Sequence, residues 1–215
     1  MGRPGTRVTL ACVVVALALL AGPAPVAGPS AAAEPTIVTL GDSLTAGFGL
    51  LADDAYPALL EQRLRREGYA YRVVNAGLSG DTTAGGLRRV DWVLRARPAI
   101  VIVALGANDG LRHLSAAAMR DNLVEIVRRL RAAGASVLLA GMRVPPNYGG
   151  DYARAFAAVF PEVARSTGVP LVPFLLDGVA GEARLNQADG IHPTAEGQRL
   201  VADTLWPFLK PLLRK

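Results

Sequence analysis

Thr36-Ile-Val-Thr-Leu40 runs directly into Gly41-Asp42-Ser43-Leu44-Thr45-Ala46-Gly47. A short, β-branched apolar run that stops at glycine reads as a buried strand entering a tight turn. The turn carries a serine. At the carboxyl end of a strand in an α/β sheet, such a side chain is held by rigid scaffold and lifted towards a crevice, which suits a nucleophile. A second reading stays open at this point. Asp and Ser are both favoured helix N-caps, so Ser43 can simply cap a following helix.

Downstream, apolar periodicity alternates between strand and helix. Tyr56 to Arg66 is predicted helical: Pro57 suits a first turn, and Tyr56, Leu60 and Leu64 share one face. Gly68 ends it, and Tyr71–Asn75 is the second strand. A Gly/Ser/Thr loop over 76–83 follows, with Asp81 or Thr82 placed to cap a helix that runs to about Arg95. Ala99-Ile-Val-Ile-Val-Ala-Leu105 shows no alternation, as expected of a central parallel strand buried on both faces. It ends in Gly106-Ala-Asn108-Asp109-Gly110. Ser115 caps the next helix, whose face carries Met119, Leu123, Ile126, Val127 and Leu130. Ser136–Ala140 is a fourth strand, and 143–150 a turn-rich loop. Tyr152, Phe156, Phe160 and Val163 mark another helix, with a kink expected at Pro161. Val169–Pro173 is a fifth strand, bracketed by prolines and so expected at an edge. A long loop from Asp177 to Pro193 leads to a closing helix from Thr194 to about Leu213.

This alternation predicts an α/β fold: a flavodoxin-like, three-layer α/β/α sandwich with a five-stranded, mainly parallel sheet in the order 2-1-3-4-5. That order opens a crevice between the carboxyl ends of the first and third strands. Ser43 follows the first and Asn108 the third. With no internal repeat or linker, residues 34–215 read as a single domain.

Residues 1–33 stand apart. Arg3 and Arg7 precede an almost unbroken apolar run from Val8 to Ala21, and small residues end in Ala31-Ala32-Ala33. This is the layout of a cleaved signal peptide, and it implies a secreted or periplasmic protein. The alternative is an uncleaved anchor, but the run is shorter than the ~20 residues a span prefers. No other stretch is apolar enough to cross a membrane, so no stable span is expected after cleavage. The only cysteine, Cys12, lies inside this run, which leaves the mature chain without disulfides or thiolate metal ligands. The formal charge of +5 comes from arginines scattered along helix-like segments without aromatic interleaving. That pattern reads as solvated helix faces and argues against nucleic-acid binding. Weak attraction to an anionic surface or an acyl-phosphate substrate stays open.

A serine hydroxyl needs a base to become a nucleophile, and histidine is the usual one near neutral pH. The chain has only two histidines, His113 and His192. His192 lies in Asp189-Gly190-Ile191-His192-Pro193, where the aspartate three residues ahead can turn back onto the imidazole and fix its tautomer. A lone loop histidine is ordinarily a surface residue, and His113 reads that way. Acyl transfer also needs donors for a developing oxyanion. Gly80 offers a close backbone N–H, Asn108 a side-chain amide, and Ser43 its own N–H. Each of these residues is also ordinary turn chemistry when taken singly. Leu111 and Leu114, and Tyr148 in the loop after the fourth strand, are candidate substrate walls; the alternative is plain surface loop.

Four ordered blocks, Gly41-Asp-Ser43-Leu, Asn75-Ala-Gly-Leu-Ser-Gly80-Asp, Gly106-Ala-Asn108-Asp and Asp189-Gly-Ile-His192-Pro, resemble those of the SGNH (GDSL) hydrolases across the whole mature chain. Gly41 to Leu50 with Tyr56-Pro-Ala-Leu-Leu60 resembles the branch of secreted arylesterases and multifunctional acyl-CoA thioesterase/lysophospholipases. The resemblance implies Ser43 as nucleophile, His192 as base, Asp189 as its orienter, and Ser43, Gly80 and Asn108 as the oxyanion hole. It implies a small-molecule acyl ester or thioester as substrate, lysophospholipids included, and no cofactor or metal. The chain departs from that branch at Ala107, where a second glycine is frequent, and in carrying His113. Two other classes stay open. Asp42, Asp109 and Asp189 at strand ends can hold Mg²⁺ in a phosphoesterase, or the fold can serve as a non-catalytic carbohydrate- or lipid-binding module.

Overall fold

The computed structural model describes residues 34–215, with Met1 and Gly2; the expected signal segment lies outside the described residues. Five strands form one sheet: β1 (Thr36–Gly41), β2 (Arg72–Gly77), β3 (Ile100–Ala104), β4 (Ser136–Ala140) and β5 (Leu171–Val172). Their order is β2-β1-β3-β4-β5, and every neighbouring pair is parallel. The expected topology is therefore the observed one. β1 and β3 are buried at every position because strands and helices cover them on all sides, whereas β2, at the edge of the sheet, has only Ala76 buried and Arg72 and Asn75 exposed.

The helices are α1 (Ser43–Ala46), α2 (Tyr56–Arg66), α3 (Thr83–Leu94), α4 (Ala107–Leu111), α5 (Ala116–Ala132), α6 (Gly150–Thr167) and α7 (Ala195–Leu209). α2 packs on α7 on one side of the sheet, and α3, α5 and α6 pack side by side on the other, giving three layers. The core is one continuous cluster in which Tyr56, Leu60, Leu64, Phe156 and Phe160 fill the space between helices and strands. Buried aromatic and aliphatic side chains of this size each contribute roughly 1.5–3 kcal/mol.

Local departures from expectation have local causes. β5 shrinks to two residues because Pro170 and Pro173 on either side have no N–H to give the ladder. α6 continues through Pro161. α7 gives way to a 3₁₀ turn over Lys210–Leu212 at Pro211, which cannot donate the next helical bond. The segment after β3, read as loop, forms the short α4 behind Gly106 at φ +117°.

The start of α2 shows how distant residues complete a local element. Its N-cap, Ala55, offers no side-chain acceptor. Gln198 of α7 supplies it: Oε1 accepts from Tyr56 N at 2.9 Å, while Nε2 donates to the Leu44 carbonyl at 3.0 Å. One buried amide thus satisfies a helix end and pins the serine-bearing turn to the far layer.

Candidate active site

Asp42 caps α1 and Ser43 does not. The Asp42 carboxylate accepts from Leu44 N at 3.0 Å, and Ser43 becomes the first helical residue. Its hydroxyl is left to face outward. The turn is possible because Gly41 has no side chain: a Cβ there would overlap Thr45 Oγ1 and the Ala104 carbonyl. Thr45 in turn shares a 2.8 Å hydrogen bond with the buried Tyr56 hydroxyl, whose ionisation is pushed up by burial. Burial also pushes the Asp42 carboxyl up to about 6, against the lowering influence of the Leu44 N–H.

The Ser43 hydroxyl lies 2.9 Å from His192 Nε2. His192 Nδ1 lies 2.7 Å from Asp189 Oδ2, and Asp189 Oδ1 accepts from the backbone N–H groups of Ile191 and His192 at 3.0 Å each. The His192 ring, and then those two backbone donors, hold the Asp189 carboxyl down at about 2. An ionised carboxylate only accepts, so Nδ1 carries a proton towards Asp189 and Nε2 is the ring nitrogen that meets the serine hydroxyl. The loop that delivers this pair is closed by a bridge between Asn186 and Pro193 and by Gln187 N donating to the His192 carbonyl at 2.7 Å.

Gly80 and Asn108 border the same cleft as Ser43 and His192. Gly80 takes φ +80°, a conformation that favours glycine. Asn108 Nδ2 donates to Asp42 Oδ2 at 3.4 Å, a long bond that leaves the amide beside the serine turn. The cleft measures about 620 Å³ and runs across the carboxyl ends of the strands. Its walls are mainly apolar: Leu44, Phe48, Leu111, Met142, Val144 and Phe174.

The three loop residues expected as substrate walls part company here. Leu111 lines the cleft, whereas Leu114 and Tyr148 do not. Leu114 lies past the end of α4, where its carbonyl accepts from the Tyr152 hydroxyl at 2.8 Å. Tyr148 is a layer further out, its hydroxyl 3.4 Å from the Leu111 carbonyl. His113 takes φ +54° and stacks on Tyr152 at 3.8 Å, outside the cleft. Asp109 is buried and accepts from Thr83 N and Oγ1 at 2.8 and 2.6 Å, tying α4 to the start of α3. Asp42, Asp109 and Asp189 are thus each committed to different protein donors. Among the described residues, no three His, Cys, Asp or Glu side chains gather as metal ligands.

Sequence reading missed two contributors. Phe48 packs against the His192 ring at 4.5 Å, and its carbonyl accepts from Gln187 Nε2 at 2.7 Å. The cue was an aromatic residue set between two glycines, Gly47 and Gly49. The wall formed by Met142 and Phe174 carries no such cue, since each simply follows a strand end.

Residues 39–200 match the GDSL-like lipase/acylhydrolase family, and the chain belongs to that family of serine ester hydrolases. It is 48% identical to the Pseudomonas aeruginosa esterase TesA over 179 residues, 83% of this chain and 89% of that protein. It is 41% identical to thioesterase 1/protease 1/lysophospholipase L1 of Escherichia coli K12, over 83% of this chain and 85% of the relative. Among solved structures, a crystal structure of TesA superposes with a TM-score of 0.81 at 48% identity, covering 83% of this chain and 99% of the other.

Proposed function

We propose that this esterase works through an acyl-enzyme formed on Ser43. The hydroxyl attacks the substrate carbonyl as His192 Nε2 takes its proton, and Asp189 steadies the imidazolium. The oxyanion is held by the backbone N–H groups of Ser43 and Gly80 and by Asn108 Nδ2. His192 then returns the proton to the departing alcohol or thiol, and water releases the acid by the reverse sequence. The observation that carries this reading is the unbroken chain from Asp189 through His192 to Ser43, at 2.7 and 2.9 Å. The Asn108→Ala variant is expected to lose ~10²–10³-fold in kcat on p-nitrophenyl butyrate. A loss below threefold would remove Asn108 from the oxyanion hole.

The apolar cleft suits small aryl and short-chain acyl esters, and the names of the relatives extend the range to acyl thioesters and lysophospholipids. Residues 1–33 act as a signal peptide that exports the 34–215 domain to the periplasm or beyond. Support comes from the apolar run before the Ala31-Ala32-Ala33 tract and from a fold whose first strand starts at Thr36. No helix among the described residues is long and apolar enough to cross a membrane. Exported protein is expected to begin near Glu34 by N-terminal sequencing; an intact N-terminus would contradict cleavage.

A further inference from the structure

Arg89 stands on α3 behind the cleft and reaches both segments that carry the reacting groups. Its Nε donates to Asp81 Oδ2 at 2.8 Å, its Nη1 to the Ala76 carbonyl at 3.0 Å, and its Nη2 to the Gly41 carbonyl at 3.2 Å. Nη2 also lies 2.6 Å from Asp81 Oδ2, closing a two-pronged ion pair. Both partners are largely buried, with side-chain exposures of 21% for Arg89 and 8% for Asp81. Gly41 is two residues before Ser43, and Asp81 is the residue after Gly80. The Gly41 carbonyl also accepts from Leu78 N at 3.0 Å, and Asp81 Oδ1 from Thr82 N at 3.1 Å, so these two acceptors are themselves held in place. Gly85 leaves the room: a Cβ there would overlap Asp81 Oδ1.

We propose that Arg89, paired with Asp81, is a positioning residue that sets the distance between the Ser43 turn and the Gly80 loop. The inference rests on the roles of Ser43 and Gly80 proposed above. A guanidinium is a rigid planar fork, and here one fork takes acceptors from the ends of β1 and β2 and from the loop beyond. Arg89 does not line the cleft, so it touches no substrate. Its effect must pass through geometry. Donors to an oxyanion act over short distances, and a displacement of about 1 Å at a reacting centre can cost ~10²-fold in rate.

The test compares the wild-type protein with Arg89→Met, Arg89→Lys and Asp81→Asn, and with the Arg89→Met/Asp81→Asn double variant. Each is measured for kcat and KM on p-nitrophenyl butyrate and for the rate at which a fluorophosphonate labels Ser43. Arg89→Met is expected to lower kcat by ~10²-fold while KM stays within threefold, and labelling should slow in parallel. Arg89→Lys, a point charge that cannot serve three acceptors at once, should lose about tenfold and keeps the test available should the methionine variant fail to fold. Because the pair acts as a unit, the double variant should be no more than threefold worse than Arg89→Met alone. A folded Arg89→Met or Arg89→Lys with kcat within threefold of wild type would overturn the proposal, as would a loss confined to KM or multiplicative losses in the double variant. Wild-type protein that is not labelled at Ser43 would instead overturn the nucleophile; normal wild-type labelling matched by equally fast variants would overturn only the role of Arg89.

Discussion

The Ser43→Ala variant is expected to fold normally and to lose about 10⁶-fold in kcat on p-nitrophenyl esters. Among the described residues the hydroxyl is hydrogen-bonded to His192 alone, so its removal breaks nothing there that holds α1, which Asp42 caps and Gln198 pins. What disappears is the proposed bond-forming atom. The proposed oxyanion donors and the cleft remain, and they should sustain only the residual acceleration that binding and electrostatics supply without a nucleophile. Steady-state turnover and the absence of fluorophosphonate labelling check the result together. Turnover within tenfold of wild type would show that another group attacks the carbonyl.

Asp189→Asn is expected to cost about 10⁴-fold in kcat with the loop intact. The amide oxygen can still accept from the backbone N–H groups of Ile191 and His192, so the turn keeps its shape. The amide NH₂ then faces His192 Nδ1. Two donors cannot meet, so Nδ1 gives up its proton, Nε2 takes it, and the ring presents N–H to the Ser43 hydroxyl in place of a lone pair. The wild-type carboxylate avoids this at every working pH. Hydrogen bonds from the His192 ring and the loop backbone keep it at about 2, below the ordinary aspartate value, so it remains an ionised acceptor at neutral pH. By linkage, that depressed value gives the folded state an advantage fully present above the unfolded aspartate pKa and lost as pH falls towards 2. Protonation of Asp189 should therefore not set the acid limb of kcat/KM in the wild type. A loss below tenfold in Asp189→Asn would mean that the loop, and not the charge, orients the ring.

Much of this site was legible before any fold was known, because its residues sit at strand ends where local signals are strong. The apolar run before Ser43, the capping residues Thr82 and Ser115, and the turn at Gly190 each declare themselves over a few neighbours. Strand alternation with helices then brings the four blocks to one rim. Leu114 and Tyr148 lie off the cleft for the complementary reason. A loop's sequence says that it is a loop, but the direction of its side chains depends on what it packs against, here the Tyr152 hydroxyl and the Leu111 carbonyl.

Sequence alone thus determined the order and type of the five strands and the long helices, the nucleophile and base as candidates, and the absence of cysteine from the described domain. These depend on periodicity, glycine and proline, and residue chemistry, all of which act within a turn or two of the chain. Only the tertiary structure decided that Asp42 rather than Ser43 caps the turn, that Gln198 completes α2, that Phe48 packs on His192, and that Arg89 braces two strand ends. The reason is physical. A buried polar group must find a partner wherever the fold places one, and the nearest acceptor in space can lie more than a hundred residues away along the chain.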